Sequence, residues 1–238
     1  MAASPDQPAS NLALIQGIAH TKETLAVWRA RPWPVLGTWF AASFLVAVGL
    51  LLAVLLVASQ TTPQTGDLMP GILSPVSLAD VGHTILRNLL VLALHSLACV
   101  AGFIAGSSMP LEAQARGGWW GAVHDYAGRF AILFVTAATA FSLLTQAYVL
   151  GGLTADVSAS LGLHETTFIV LLLPHALLEL TGLFLPLAAW LIASRRGEWH
   201  QLLAATFVTT AIALVMVLAA ALIETYVTPD LIRSYASR

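Results

Sequence analysis

Unbroken apolar runs long enough to cross a lipid bilayer recur along this chain, and they restrict its fold more than any other feature. Trp33 to Val57, His83 to Gly106, Arg129 to Leu150, Thr167 to Ala193 and Leu202 to Val227 each match the roughly 20 residues that a helical span needs. Hydrocarbon offers no water to backbone N–H and C=O groups, so such runs must satisfy themselves as helices. Only 9% of the 238 residues are charged and 58% are hydrophobic, whereas a soluble domain carries about 25% charge. The expected fold class is therefore all-α, a polytopic membrane helix bundle of about five transmembrane helices.

Ahead of the first run, residues 1–9 are rich in Ala, Ser and Pro. From Ser10, a fitting N-cap, Asn11 to Arg31 repeats Leu12, Ile15, Ala19 and Trp28 at helical spacing. This segment is too polar to span and reads as an amphipathic helix at the membrane surface. No cleavable signal is expected, because Met1 to Pro8 carries only Asp6 and the first apolar run is too long. That run reads as an uncleaved anchor. The expected domains are a cytoplasmic segment over 1–32, a five-span body over 33–228 and an extracytoplasmic tail over 229–238. Cys99 is the single cysteine and lies inside a span, which excludes an internal disulfide or a cysteine zinc cluster.

Orientation follows from basic residues in short loops. Lys22, Arg29 and Arg31, then Arg116 and Arg129, then Arg195 and Arg196 all fall on one side of an odd number of spans. The stretches Ser59 to Gly82 and Gly151 to Thr166 hold neither Lys nor Arg, and Arg233 and Arg238 stand on that far side. Trp28, Trp33, Trp39, Trp119, Trp120, Trp190 and Trp199 lie near the basic side as an interfacial belt, with Tyr148 and Tyr226 at the other. The N-terminus is expected in the cytoplasm and the C-terminus outside. The few basic residues sit in short loops, so the expected partners are the lipid bilayer and other membrane or envelope proteins, with no nucleic acid. A homo-oligomer stays open.

Polar groups inside the runs carry the functional reading. An ionisable side chain in hydrocarbon costs on the order of 3 kcal/mol and normally faces a polar interior. His175 and Glu179 are four residues apart, which stacks them on one helix face. At about 1.5 Å per residue, Asn88 lies roughly 8 Å from the outer end of its helix and His95 roughly 18 Å. His175 comes at about 12 Å, Glu179 at about 18 Å and Glu224 at about 5 Å. Three runs thus place costly groups in the outer half of the membrane. A buried histidine and acid can also serve only as interhelical glue. Thr136, Thr139, Ser142 and Gln146 form one stripe, and Thr206, Thr210, Ala213, Val217 and Ala220 another; both read as packing faces, as does Gly102 with Gly106. Pro174 and Pro186 are expected to kink the fourth span.

His175, Glu179 and Glu224 are the candidate catalytic and metal-ligating residues, with Asn88 and His95 lining the pocket. Mixed nitrogen and oxygen ligands suit a divalent ion such as zinc, and a carboxylate beside an imidazole suits acid–base work without one. Motif evidence goes no further. His164-Glu165-Thr166-Thr167-Phe168 opens like a zinc-protease signature but ends in Phe168 where histidine is required. No phosphate loop is present, so ATP energy would come from a separate subunit.

Leu173-Pro174-His175-Ala176-Leu177-Leu178-Glu179-Leu180 resembles a signature of the stage II sporulation protein M (SpoIIM) family, in which Pro-His-Gly is followed by Glu-Leu. Ala220 to Pro229 resembles the second, an Ile-Glu closing the last span before Thr-Pro, and Asn88 matches an asparagine early in the second span. The resemblance covers about residues 35 to 230. Ala176 replaces the usual glycine, and Gly118-Trp119-Trp120-Gly121 stands where the family often has Asn-Gly. The resemblance implies an integral membrane component that works with peptidoglycan-degrading proteins. Three functions stay open at this level: a scaffold or pore-like envelope subunit, a membrane-embedded metal- or glutamate-dependent hydrolase or peptide-processing enzyme, and a transporter subunit driven by a separate ATPase.

Overall fold

The computed structural model describes residues 9–64, 77–104 and 118–236, and no strand occurs among them. Helix α1 is Ala9–Ala30 and α2 is Trp33–Ala58. After them come α3 (Leu78–Phe103), α4 (Gly118–Ser160) and α5 (Glu165–Arg196). A 3-10 turn, Trp199–Gln201, leads to α6 (Leu202–Leu222). That helix widens into a π turn at Ile223–Val227 and continues as α7 (Thr228–Ala236). Trp33–Ala58, Leu78–Phe103, Leu133–Ser160, Glu165–Arg196 and Leu202–Tyr235 are long and apolar enough to cross a membrane. The protein is an all-α integral membrane protein in contact with lipid.

Local chemistry sets the helix ends. Ser77 and Asp80 form a capping box at the start of α3: the Asp80 N–H donates to Ser77 Oγ at 3.2 Å, and the Ser77 N–H donates to Asp80 Oδ2 at 2.9 Å. This cap moves the start of α3 ahead of His83. Helices α4 and α5 each end with a glycine at positive φ, Gly162 at 65° and Gly197 at 70°. Past each glycine an N–H reaches back five residues, from Leu163 to the Ser158 carbonyl and from Glu198 to that of Ala193, both at 2.9 Å. That is the Schellman stop, which only glycine enters without a Cβ penalty.

Two expectations are corrected. The stretch from Gly151 was expected to be a loop, yet α4 runs on to Ser160. A helical glycine costs about 1 kcal/mol relative to alanine, but at Gly151 a Cβ would press on Val57 of α2, so the missing side chain permits a close helix contact. The stretch from Thr228 was expected to be a tail, yet it is α7, anchored by Ile232 against Val157 and Phe168. Pro174 and Pro186 both lie within the single helix α5, and the Pro186 carbonyl accepts from Cys99 Sγ at 3.0 Å. Gly106 and Arg116 lie outside the described residues.

The chain divides into two compact units. The first comprises Met1–Ala41, Ala93–Ala138 and Leu185–Ala211. Its core joins Cys99, Phe103, Trp190, Ala193 and Leu202, and Trp28 packs edge-on against Trp39 at 5.1 Å. Ser96 and Thr210 bond at 2.8 Å in the same unit. The second comprises Ala42–Leu92, Thr139–Phe184 and Ile212–Arg238. There Ala47, Leu50, Val54, Ala147, Ile169 and Phe184 form one cluster, while Leu92, Leu183, Ala213 and Val217 form another. The stripe on α6 therefore packs as expected. The stripe on α4 does not: Ser142 is exposed, and Gln146 Nε2 donates along the same helix to Ser142 Oγ at 3.0 Å.

Gly102 tests the packing of the first unit directly, because a Cβ there would run into the Trp190 indole. Gly102→Ala should cost about 1–3 kcal/mol, the usual cost of overpacking, seen as a lower melting temperature in detergent. Gly49→Ala, which meets nothing within 4 Å, should leave that temperature unchanged or raise it.

Candidate functional site

The functional side chains of the second unit come from three helices. Helix α3 carries Arg87 and Asn88, α5 carries His175 and Glu179, and the π turn after α6 carries Glu224. The π turn has a local cause. Pro229 has no N–H to give the Thr225 carbonyl, and its ring crowds that carbonyl, so the helix widens before it. The Thr228 N–H donates to the Ile223 carbonyl five residues back, and the Thr228 hydroxyl donates to the same oxygen at 3.2 Å. An inserted residue rotates the downstream helix by about 100°, so this widening sets where Glu224 points relative to α7.

His175 holds the end of that turn. It is buried, and its Nδ1 lies 2.8 Å from Thr228 Oγ1. A hydroxyl has one proton; with that proton on the Ile223 carbonyl, Thr228 accepts from an Nδ1–H imidazole. The expected partner one turn along α5, Glu179, is not the one His175 takes. The ring joins α5 to the start of α7 instead.

Glu179 faces a different group. Its carboxyl, half-buried, feels the charges of Glu224 and Arg87 and lies beside the Asn88 amide. Glu224 Oε1 stands 3.8 Å from Arg87 Nη2, a long ion pair in which the arginine side chain is 61% exposed and the glutamate 30%. Arg87 Nε donates weakly to Asn88 Oδ1 at 3.5 Å, which fixes the orientation of the carboxamide. Asn88 is only 2% exposed. Its Nδ2 and Glu224 Oε2 are buried atoms that complete no hydrogen bond. The cluster thus sets two carboxylates against one guanidinium, with one donor and one acceptor left over.

The expected set is brought together only in part. Asn88, Glu179 and Glu224 gather; His175 lies on the same face of α5 but is committed to Thr228. His95 is half-buried and belongs to the first unit. Among the described residues, no group of three or more His, Cys, Asp or Glu side chains is arranged to hold a metal ion. Sequence reasoning missed Arg87 and Thr228. The signal for Arg87 was present, since a cation inside an apolar run is rare enough to flag a site. Thr228 gave none, because its role depends on the π turn.

The family model for stage II sporulation protein M matches residues 126–229. Over that stretch, somewhat less than half of the chain, the sequence is similar to the SpoIIM family. No curated protein and no solved structure matches the chain. The SpoIIM segment contains His175, Glu179, Glu224 and Thr228, whereas Arg87 and Asn88 precede it. Both acids of the cluster thus fall inside the matched stretch, and the guanidinium and amide that face them come from α3.

The His175–Thr228 bond is open to a double-mutant cycle. His175→Phe and Thr228→Val should each lower the melting temperature, with a coupling of about 0.6–2 kcal/mol, the range for polar contacts inside membranes. Additive single effects would show that the two side chains do not act together.

Proposed function

We propose that this SpoIIM-like protein is a non-catalytic scaffold or pore-like subunit of a bacterial envelope complex engaged in peptidoglycan remodelling or export. In this reading it sits in the cytoplasmic membrane with its N-terminus inside and its C-terminus outside. Residues 33–228 form the membrane body, and Glu179, Glu224 and Asn88 face outward as a polar seat for a partner or cargo, with His175 one turn away on α5. The charge bias supports the orientation: Lys22, Arg29, Arg31, Arg195 and Arg196 all fall within the first unit, which also contains Trp28, Trp33, Trp39, Trp190 and Trp199. Arg87 and Arg233 belong to the second unit. Arg87 faces carboxylates there, which offsets its weight as a topological signal.

The observation that carries the reading is the composition of the cluster around Glu179. Two acids, one arginine and an amide suit the holding of a polar or charged group. A hydrolytic metal centre needs three convergent ligands and an open position.

Metal analysis of the purified protein separates this reading from a metallohydrolase. Wild type and Glu179→Gln should both lack stoichiometric zinc after purification without chelator. Stoichiometric zinc in the wild type that is lost in Glu179→Gln would overturn the scaffold reading in favour of an enzyme.

A further inference from the structure

The unsatisfied atoms of the cluster specify a ligand more closely than its acidity does. Glu179 and Glu224 face the single cation Arg87, so formally one negative charge is left without a partner among the groups described there. Glu224 Oε2 lacks a donor. Asn88 Nδ2 completes no hydrogen bond of good geometry, although Asn88 is 2% exposed and its amide is the near neighbour of the Glu179 carboxyl. Burying such atoms unpaired is costly, and a fitting ligand would recover that cost.

Simple ligands each meet only part of this demand. A water molecule supplies a donor and an acceptor but no charge. A bare metal cation supplies charge but nothing that accepts from Asn88. An alkylammonium supplies charge and donors, and again no acceptor. An α-ammonium group beside a carbonyl supplies all of them, with nitrogen and oxygen held close by the short N–Cα–C–O link. Arg87, mostly exposed, remains as counterion to one carboxylate while the ammonium neutralises the other.

We propose that Asn88, Glu179 and Glu224 form a seat for an α-ammonium group with its adjacent carbonyl. The ammonium donates to the two carboxylates, and the carbonyl oxygen accepts from Asn88 Nδ2. Free amino acids and polypeptide N-termini share this chemistry. The inference rests on the binding role given to the cluster above and names what is bound.

The test uses the full chain in detergent micelles, where both faces are open, and reads thermal stabilisation and calorimetric binding. The probes are leucine, leucinamide, tetra-alanine, N-acetyl-leucinamide and isopentylamine. Leucinamide should bind, and N-acetyl-leucinamide and isopentylamine should bind at least roughly tenfold more weakly, a loss of about 1.4 kcal/mol. Tetra-alanine binding without leucine identifies a polypeptide N-terminus as the source; leucine binding without tetra-alanine identifies free amino acids. Glu224→Gln and Asn88→Leu should each weaken leucinamide at least roughly tenfold. If a variant fails to fold, the comparison of probes on wild type decides alone. Equal binding of the acetylated probe or of isopentylamine, or no binding by any probe, overturns the seat. Orientation is checked separately with Gln64→Cys in a Cys99→Ser background. Labelling of that position only from the cytoplasm would overturn the outward-facing reading while leaving the amine seat to stand or fall on the probes.

Discussion

Hydrocarbon cannot solvate charge, and that constraint organises the second unit of this protein. A carboxylate within a span costs on the order of 3 kcal/mol unless it finds a partner. Glu179 and Glu224 find each other's neighbourhood, a guanidinium from α3 and a buried amide. Three helices must therefore keep fixed rotational settings. The capping box at Ser77 and Asp80, the continuous α5 and the π turn before Pro229 each set one of them. The apolar clusters around Leu50 and Val217 hold these helices together without specifying their rotation. The polar groups supply that specificity.

Much of this was legible from residue patterns. Apolar length alone placed the spans that became α2, α3, α5 and α6, because backbone satisfaction in lipid leaves no alternative to helix. The acids Glu179 and Glu224 stood out because charge in such runs is costly. What sequence periodicity missed were features decided by tertiary contact. The third span was expected to stop at Leu150, yet the helix continues through Gly151, which lies against Val57. His175 and Glu179 read as a pair because they stack on one face. The choice between Glu179 and Thr228 as partner depended on a π turn that no helical period encodes. Arg87 was visible and was passed over, although it sits beside Asn88 in an otherwise apolar run.

The SpoIIM match and the cluster geometry bear on function together. The family segment supplies both carboxylates and the His175–Thr228 junction that secures the turn bearing one of them. The α3 residues complete the site from outside that segment. The proposed binding seat would need no reactive nucleophile and no metal, in keeping with the proposed scaffold role. The exposed guanidinium of Arg87 offsets part of the charge of the facing carboxylates.

The most direct measurement is a charge exchange between α3 and the π turn. Arg87→Glu and Glu224→Arg should each lower the melting temperature of the purified protein, since each leaves like charges facing one another. Combining them should restore much of the loss, with a coupling of about 0.5–3 kcal/mol. Single effects that add to within about 0.5 kcal/mol would mean that the two side chains never meet, and the account of a shared polar seat would fail.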